Sequence, residues 1–247
     1  MAERPSYAIR SVDHALRVIQ LLREQGDVRI VDVARELGVA TSTAHRLLAM
    51  LVYRGFAVQD ESRVYHPGPE LTAEPGHLTH PQLRQTLGPR LRRLCALVDE
   101  SVNLLVRVGT TTRFIDSVEA DRQVHVADRR GYVLPAALTS GGRALLATLP
   151  ASTVRDLYAG PEAATVGLDR LMRILRTTRQ TGYALNSQET EKGVSAVAAA
   201  VRDPQGNGVA AIAIAVPSVR FSRSLAAELT DALRHEAERA SADLACA

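Results

Sequence analysis

Between Gly38 and Gln59 the chain has no acidic residue, yet it sets Thr41, Ser42, Thr43, His45 and Arg46 in close succession, with Tyr53 and Arg54 further on. Hydroxyls, an imidazole and guanidinium groups suit phosphate oxygens and base edges, whereas carboxylates, which phosphates repel, are missing. An ordinary solvated helix face mixes Glu with Lys. A second acid-free run, Thr79 to Leu94, holds Arg84, Arg90, Arg92 and Arg93. Lys192 is the one lysine among 30 basic residues. Arginine's forked donors favour phosphate, but coding bias explains that ratio more readily.

Other chemistries find little support. The chain contains no GxSxG elbow, HExxH, P-loop or GxGxxG, and its carboxylates show no evident pairing, so an enzyme built on the second half of the chain is the alternative rather than the leading reading. Cys95 and Cys246 match no metal-ligand spacing and no disulfide framework. His77 and His80 form an HxxH beside prolines, a pattern far more often solvated than metallated. No metal and no cofactor is expected. The N-terminus lacks the apolar run of a signal peptide and no stretch is long enough to cross a bilayer, which points to a cytoplasmic protein without membrane contact. The net charge of +3 permits nucleic-acid binding without demanding it. Over residues 1–66 nine arginines face eight acids. That near-neutrality argues against a non-specific DNA binder, whose affinity needs many phosphate contacts.

The elements that position these groups follow from periodicity. Val12, Ala15, Leu16, Ile19 and Leu22 form the stripe of a helix over 11–25, with Ser11 placed as its cap. Ile30, Val33, Ala34 and Leu37 give a second, two-turn helix that Gly38 closes. After the turn "GVAT" the stripe restarts with Ala44, Leu47, Leu48 and Leu51, completing a helix-turn-helix whose second helix would enter a major groove. With that stripe inward, Ser42, Arg46, Ala49 and Tyr53 point out and Thr43 and His45 flank them. Arg46 is the strongest candidate for base or phosphate contact. Thr41, Ser42 and Thr43 suit helix capping as well as phosphate binding, and one of them is expected to cap. Phe56, Val58 and Val64 alternate around the polar tip "QDES", a β-hairpin wing with Arg63 just past its turn.

Pro67, Gly68, Pro69, Pro75, Gly76 and Pro81 mark a linker over 67–81, with at most two short helical turns inside it. Beyond it, Leu87, Leu91, Leu94 and Val98 stripe a helix over 82–99. "SVNLLVRVG", "TRFIDSVE" and "QVHVADR" read as three strands. Helical patterns follow at 140–149, 151–159 and 168–181, then the strand pair "VSAVAAAVRD" and "GVAAIAIAVP", then a helix over 224–244. This order predicts an α+β domain of sensor type.

Assembled, these residues resemble the IclR family of bacterial transcription regulators over nearly the whole chain. The resemblance rests on "VARELGVATSTAHRLLAMLVYRGF", on "PGPEL", and on "GYVLPAALTSGGRALLA" with "GYALNSQETEKGVSAVAAAVRDPQGNGVAAIAIAVP". It implies an N-terminal winged helix-turn-helix domain (1–66), a linker (67–81) and a C-terminal GAF-like effector-binding domain (82–247). The implied partners are double-stranded DNA at a palindromic promoter site, a small organic or aromatic acid as effector, and further copies of the chain in a homodimer or homotetramer. Carried across the matched motifs, the ligand-lining positions are Leu134, Ser140, Gly141, Asn186, Ala196, Ala213 and Ala215.

The chain departs from the family pattern in three respects. Ala196, Ala213 and Ala215 replace frequent Ser or Cys, and Asn186 stands where an aspartate can occur. Fewer hydroxyls disfavour a two-carbon keto acid and predict room for a larger, less polar ligand. Pro75 and Pro81 interrupt a linker helix that is usually continuous. Ser140, Gly141 and Gly142 open an apolar helix, where free N–H groups form an anion site or merely pack closely. Asn186 either meets the ligand or turns the chain, and Glu189 with Lys192 reads as a local surface pair.

Overall fold

A computed structural model describes residues 9–60, 62–72, 80–159 and 167–245. The chain divides into two compact units, Met1–His77 and Leu78–Ala247.

In the first unit α1 (Arg10–Gln25), α2 (Ile30–Leu37) and α3 (Thr41–Tyr53) precede a hairpin of β1 (Ala57–Gln59) and β2 (Tyr65–Pro67) and a single turn, α4 (Pro69–Thr72). Gly38 ends α2 in the left-handed conformation (φ 61°), which lets the chain reverse into α3 without a Cβ penalty. The shared core holds Val18, Leu22, Val33, Ala44, Leu48, Leu51, Ala57 and Tyr65.

Local details differ from the sequence reading. Ile9, not Ser11, is the N-cap of α1, and it makes no side-chain cap bond. Val18, Leu21 and Leu22 are the buried face of that helix, while Val12 and Leu16 lie exposed. In the hairpin, Ala57 opposes Pro67 and Gln59 opposes Tyr65. This register buries Ala57 and Tyr65 and leaves Val58 outside, because Tyr65 also exchanges both backbone hydrogen bonds with Val28 and is drawn into the helical core.

His66 fastens the hairpin to the turn before α2. Its Nδ1 lies 2.6 Å from Asp27 Oδ1 and its Nε2 lies 2.9 Å from Asp60 Oδ2.

The second unit is one antiparallel sheet of order β5-β4-β3-β8-β7-β6. Its strands are β3 (Ser101–Val108), β4 (Thr111–Val118), β5 (Val133–Pro135), β6 (Ala184–Ser187), β7 (Val194–Arg202) and β8 (Gly208–Pro217). Helix α5 (His80–Val98) leads into β3. Between β5 and β6 run α6 (Ser140–Leu146), α7 (Ala151–Leu157) and α8 (Leu168–Thr181), and α9 (Arg223–Ala245) follows β8. Pro81 falls in the first turn of α5, where a missing N–H breaks no helical bond. Pro75 and His77 lie outside the described residues.

Strand alternation gives the sheet two unlike faces. Val102, Leu104, Ile212, Ile214 and Val197 point toward the Leu stripes of α5 and α9. Those two helices are clamped by Arg90, whose guanidinium reaches Asp243 at 2.5 and 2.8 Å and Glu236 at 3.2 Å. On the opposite face Leu105, Phe114, Ala198, Ala211 and Ala213 meet Ala144 and Leu145 of α6.

The expected third strand over 123–129 does not form. Local bonds fold that segment instead: His125 Nδ1 lies 2.6 Å from the Arg122 carbonyl, and the Arg130 N–H donates to Asp128 at 2.8 Å. The edge beside β4 is taken by β5, with Thr112 opposite Leu134.

The His66 staple generates a pH dependence. Hydrogen bonds to Asp60 and then Asp27 hold the His66 imidazolium above its ordinary value near 6.5, and His66 in turn holds Asp60 below its ordinary 3.8. A raised histidine contributes stability that is present below its unfolded value and lost as pH rises through the folded one; the depressed carboxylate loses its share as pH falls. Hairpin amides should therefore exchange most slowly between these limits and faster above the His66 transition. An NMR titration of the His66 ring checks this, with a His66→Gln variant expected to flatten the alkaline limb.

Candidate functional site

Two surfaces carry the residues singled out by sequence, one in each unit. In the first, α3 starts at Thr41 after Ala40, an N-cap with no side-chain bond. None of Thr41, Ser42 and Thr43 serves as the cap, so the three hydroxyls stay available. These residues are exposed together with His45, Arg46 and Tyr53, while Ala44, Leu48 and Leu51 are buried. Arg63 is exposed at the hairpin turn with φ 61°, a left-handed conformation uncommon for a side-chain-bearing residue.

Helix α3 carries no acid, whereas α1 holds Asp13 and Glu24 and α2 holds Asp32 and Glu36. On α1 and α2, Arg17 is held by Glu36 at 2.7 Å and Arg35 by Asp32 at 3.5 Å. By comparison, the side chains of His45, Arg46 and Arg63 have no hydrogen bond or ion pair among the described residues. Arg54 stacks on the ring of Tyr53, 5.4 Å from its centroid. His45, Arg46 and Arg63 thus meet no carboxylate among the described residues.

In the second unit a cavity opens between the sheet and the start of α6. It is lined by Leu134, Ser140, Asn186, Ala196, Ala213 and Ala215, six of the seven positions predicted. Sheet register assembles them: Asn186 opposes Ala196, and Ala196 opposes Ala215. Gly141 is placed elsewhere. A Cβ on it would stand 3.0 Å from Leu105, so its lack of a side chain serves close helix-to-sheet packing. Gly142 serves the same end, since a Cβ there would meet the Ala136 carbonyl at 2.2 Å. Its N–H donates to Thr139, which caps α6 at 3.0 Å.

Asn186 lies within β6 rather than after it, and its amide is fully engaged by the protein. Its Nδ2 donates to the Leu138 carbonyl at 2.6 Å and to Thr190 at 3.1 Å, and its Oδ1 accepts the Glu189 N–H at 3.0 Å. It holds the loop between β6 and β7. Glu189 does not pair with Lys192. It grips the buried Arg143 through two bonds of 2.8 and 2.6 Å, with Arg170 adding a third at 3.1 Å. Arg143 also donates to the carbonyls of Ala137 and Leu185, at 2.7 and 2.8 Å. Through Arg143 the Glu189 carboxyl is held below the usual carboxylate range.

The sequence reading missed several lining residues: Asn103, Leu105, Phe114, Arg129, Thr139 and Thr190. Asn103 was findable. It is the one amide inside the apolar run "VNLLV", and its register partner is Ala213. Phe114 reaches the cavity because a bulge between Leu104 and Leu105 sets it opposite Leu105. Arg129 sits in an irregular loop whose placement no periodicity reveals.

The cavity measures about 30 Å³. That is room for a water or two. The predicted extra space is absent because Leu105, Phe114 and Leu134 fill what the alanines give up. Among the described residues no group of three His, Cys, Asp or Glu could hold a metal ion. Burial pushes the Cys95 thiol up, away from its reactive thiolate form.

Comparison with known proteins joins the two surfaces to one function. Residues 11–61 match the IclR helix-turn-helix domain, and residues 76–242 match the C-terminal domain of the bacterial transcriptional regulator IclR. The chain belongs to the IclR family. It is 29% identical to the HTH-type transcriptional regulator XynR of Escherichia coli over 236 residues, covering 92% of this chain and 93% of that one. The crystal structure of the Agobacterium tumefaciens repressor BlcR matches 96% of this chain and 97% of its own, with 26% identity and a TM-score of 0.60. An IclR homologue from Microbacterium hydrocarbonoxydans, solved in complex with 4-hydroxybenzoate, shares the fold: TM-score 0.61, 20% identity, 96% of this chain and 99% of that one.

As an IclR-type transcriptional regulator the protein combines a DNA-binding helix-turn-helix domain with an α+β, GAF-like effector-binding domain. Among the described residues no helix is long and apolar enough to cross a membrane.

The Arg143 cluster yields a stability prediction. Arg143→Ala leaves the Glu189 carboxylate without its main partner in a half-buried position and should cost about 3 kcal/mol. Urea denaturation of the full chain followed by circular dichroism checks this. Arg170→Ala, which removes an exposed partner, should cost less than about 1 kcal/mol.

Proposed function

We propose that the protein binds a palindromic promoter operator as a homodimer or homotetramer, with residues 1–66 as the DNA-reading head, 67–81 as linker and 82–247 as sensor. A small organic or aromatic acid in the sheet cavity sets the operator affinity. Thr41, Ser42, Thr43, His45, Arg46 and Tyr53 face the major groove, and Arg63 meets the backbone beside it. One observation carries this reading: α3 has no acid, unlike α1 and α2, and its Arg46, like Arg63 on the hairpin, has no carboxylate partner among the described residues. An unpaired guanidinium on a helix without acids, with a second on the adjoining hairpin, matches the phosphate and purine acceptors of a duplex.

Self-association is supported by the exposed apolar stripe of Ile9, the N-cap of α1, with Val12 and Leu16 on that helix, a surface that water does not favour. Two heads so joined would read half-sites one helical turn apart. The acid is proposed from the lining of the cavity, which is apolar with a few polar groups, and from the benzoate-type ligand of the Microbacterium homologue. An aromatic acid enters a cavity of about 30 Å³ only if its walls move. Effector binding and conformational change are then one event, which is what a switch requires.

Footprinting of the promoter DNA beside the gene, with and without candidate acids, tests the proposal. A protected palindrome whose protection changes with one acid is expected. Arg46→Ala should weaken operator binding by about 1 to 3 kcal/mol. If Arg46 holds a phosphate, the loss should be uniform across sequences and the salt slope should fall by about one. A gel-shift titration giving unchanged affinity would refute the assignment.

A further inference from the structure

Among the groups lining the sheet cavity, Arg129 alone carries a charge; its polar companions Asn103, Thr139, Ser140, Asn186 and Thr190 are neutral. Its side chain is only 11% exposed. Within the described residues it is answered by a single bond, from Nη2 to Glu191 at 2.5 Å. The Glu191 side chain, in contrast, is 55% exposed. The pair is therefore unequal, with a guanidinium in the cavity wall and a carboxylate that reaches it from solvent.

We propose that Arg129 is the residue that selects a carboxylate effector, and that Glu191 occupies Arg129 as an internal competitor which the effector's carboxylate displaces. The inference rests on the reading of this cavity as the effector site and adds what that reading lacks, the group that sets ligand charge.

Three features carry it. First, a neutral ligand that dislodged Glu191 would leave a largely buried guanidinium uncompensated, a cost that a carboxylate avoids. Second, Glu191 holds Arg129 through one donor only, so Nε and Nη1 remain for a fork-shaped bond that a second carboxylate can form. Third, the loop carrying Glu191 is fixed two residues earlier by Glu189 in the buried grip of Arg143. Glu191 can leave while the loop stays seated, because its own carboxylate is exposed and returns to water at little cost, and an incoming carboxylate takes over the compensation of Arg129.

A second polar contact is available deeper in the wall. Asn103 is 1% exposed, and its Oδ1 accepts the Ser117 hydroxyl at 3.0 Å, while its Nδ2 has no acceptor among the described residues. The ligand class is thus a monocarboxylate with a hydroxyl or keto oxygen that this amide can serve.

Isothermal titration of the full chain with pyruvate, 3-hydroxybutyrate, benzoate and 4-hydroxybenzoate, each beside its amide, tests the assignment. At least one acid should bind more tightly than its amide by about tenfold or more. Arg129→Gln should remove that preference, Arg129→Lys should keep part of it, and Glu191→Gln should tighten the acid severalfold by removing the competitor. An acid-over-amide preference that survives Arg129→Gln overturns the proposal, as does an acid affinity that Glu191→Gln leaves unchanged or weakens. Absence of binding by all four acids to both the natural chain and Glu191→Gln also overturns it. Ala213→Phe, which fills the cavity, separates the two readings. If it abolishes acid binding and Arg129→Gln does not, the cavity stands and the role of Arg129 falls; if binding persists in Ala213→Phe, the cavity itself is the wrong site.

Discussion

The sensing unit depends on the buried guanidinium of Arg143. A charge at 3% exposure is tolerated only with full compensation, and Arg143 obtains it from two carbonyls and both oxygens of Glu189. Those partners belong to the segment before α6, to β6, and to the loop after β6. One residue therefore ties the entry to α6 to β6 and the loop after it, more than forty residues further along the chain. Removing a partner is costly because desolvation of the remaining charge is then unrelieved, so the loop over the cavity has one seat rather than several. Asn186 reinforces that seat with its whole amide, tying Leu138, Thr190 and the Glu189 N–H together. Its role is to shape the wall, and the donor left over for a ligand is on Asn103.

Arginine does opposite work in the other unit, and the difference lies in the neighbours. Arg17 and Arg35 have acidic residues on their own or adjacent helices and spend their charge within the fold. Arg46 has none, because no acid occurs between Gly38 and Gln59. Screening limits the worth of any exposed ion pair to about 1 kcal/mol, so withholding a carboxylate from α3 costs little stability. The same omission leaves a field that a polyanion can use. The hairpin tip keeps its acids, but Asp60 is turned toward His66 and the Val64 N–H, which takes its charge away from the exposed side of the hairpin.

The sequence made the helical elements legible where apolar period and glycine stops coincided, as in α2, Gly38 and α3. It was less informative where two apolar faces compete. On α1, Val12 and Leu16 fit a helical stripe as well as Val18 and Leu21 do, and only tertiary packing chose the latter. The hairpin failed similarly, since Phe56, Val58 and Val64 alternate correctly yet Tyr65 pairs with Val28 and reverses the face. For the cavity, matched motifs led to six wall positions, while Asn103 and Arg129 were overlooked because each is a single polar residue without a pattern. Residues 123–129 alternate like a strand but are claimed by local side-chain bonds.

The alanines of β7 and β8 show why composition alone misjudged the cavity. Small residues on a sheet face can leave space or can let a helix approach, and packing decides which. Here Gly141 lies against Leu105 with no room for a Cβ, and Ala144 sits over Ala198, Ala211 and Ala213, so α6 has moved in. Dispersion favours that closure, because an empty apolar cavity forfeits contacts on every side. Admission of a ligand must then separate packed walls, and the edge held least firmly yields first. On one side stands Arg143 with four buried or half-buried bonds, and on the other Arg129 with one bond to an exposed carboxylate. The wall of the cavity is therefore held more firmly at Arg143 than at Arg129.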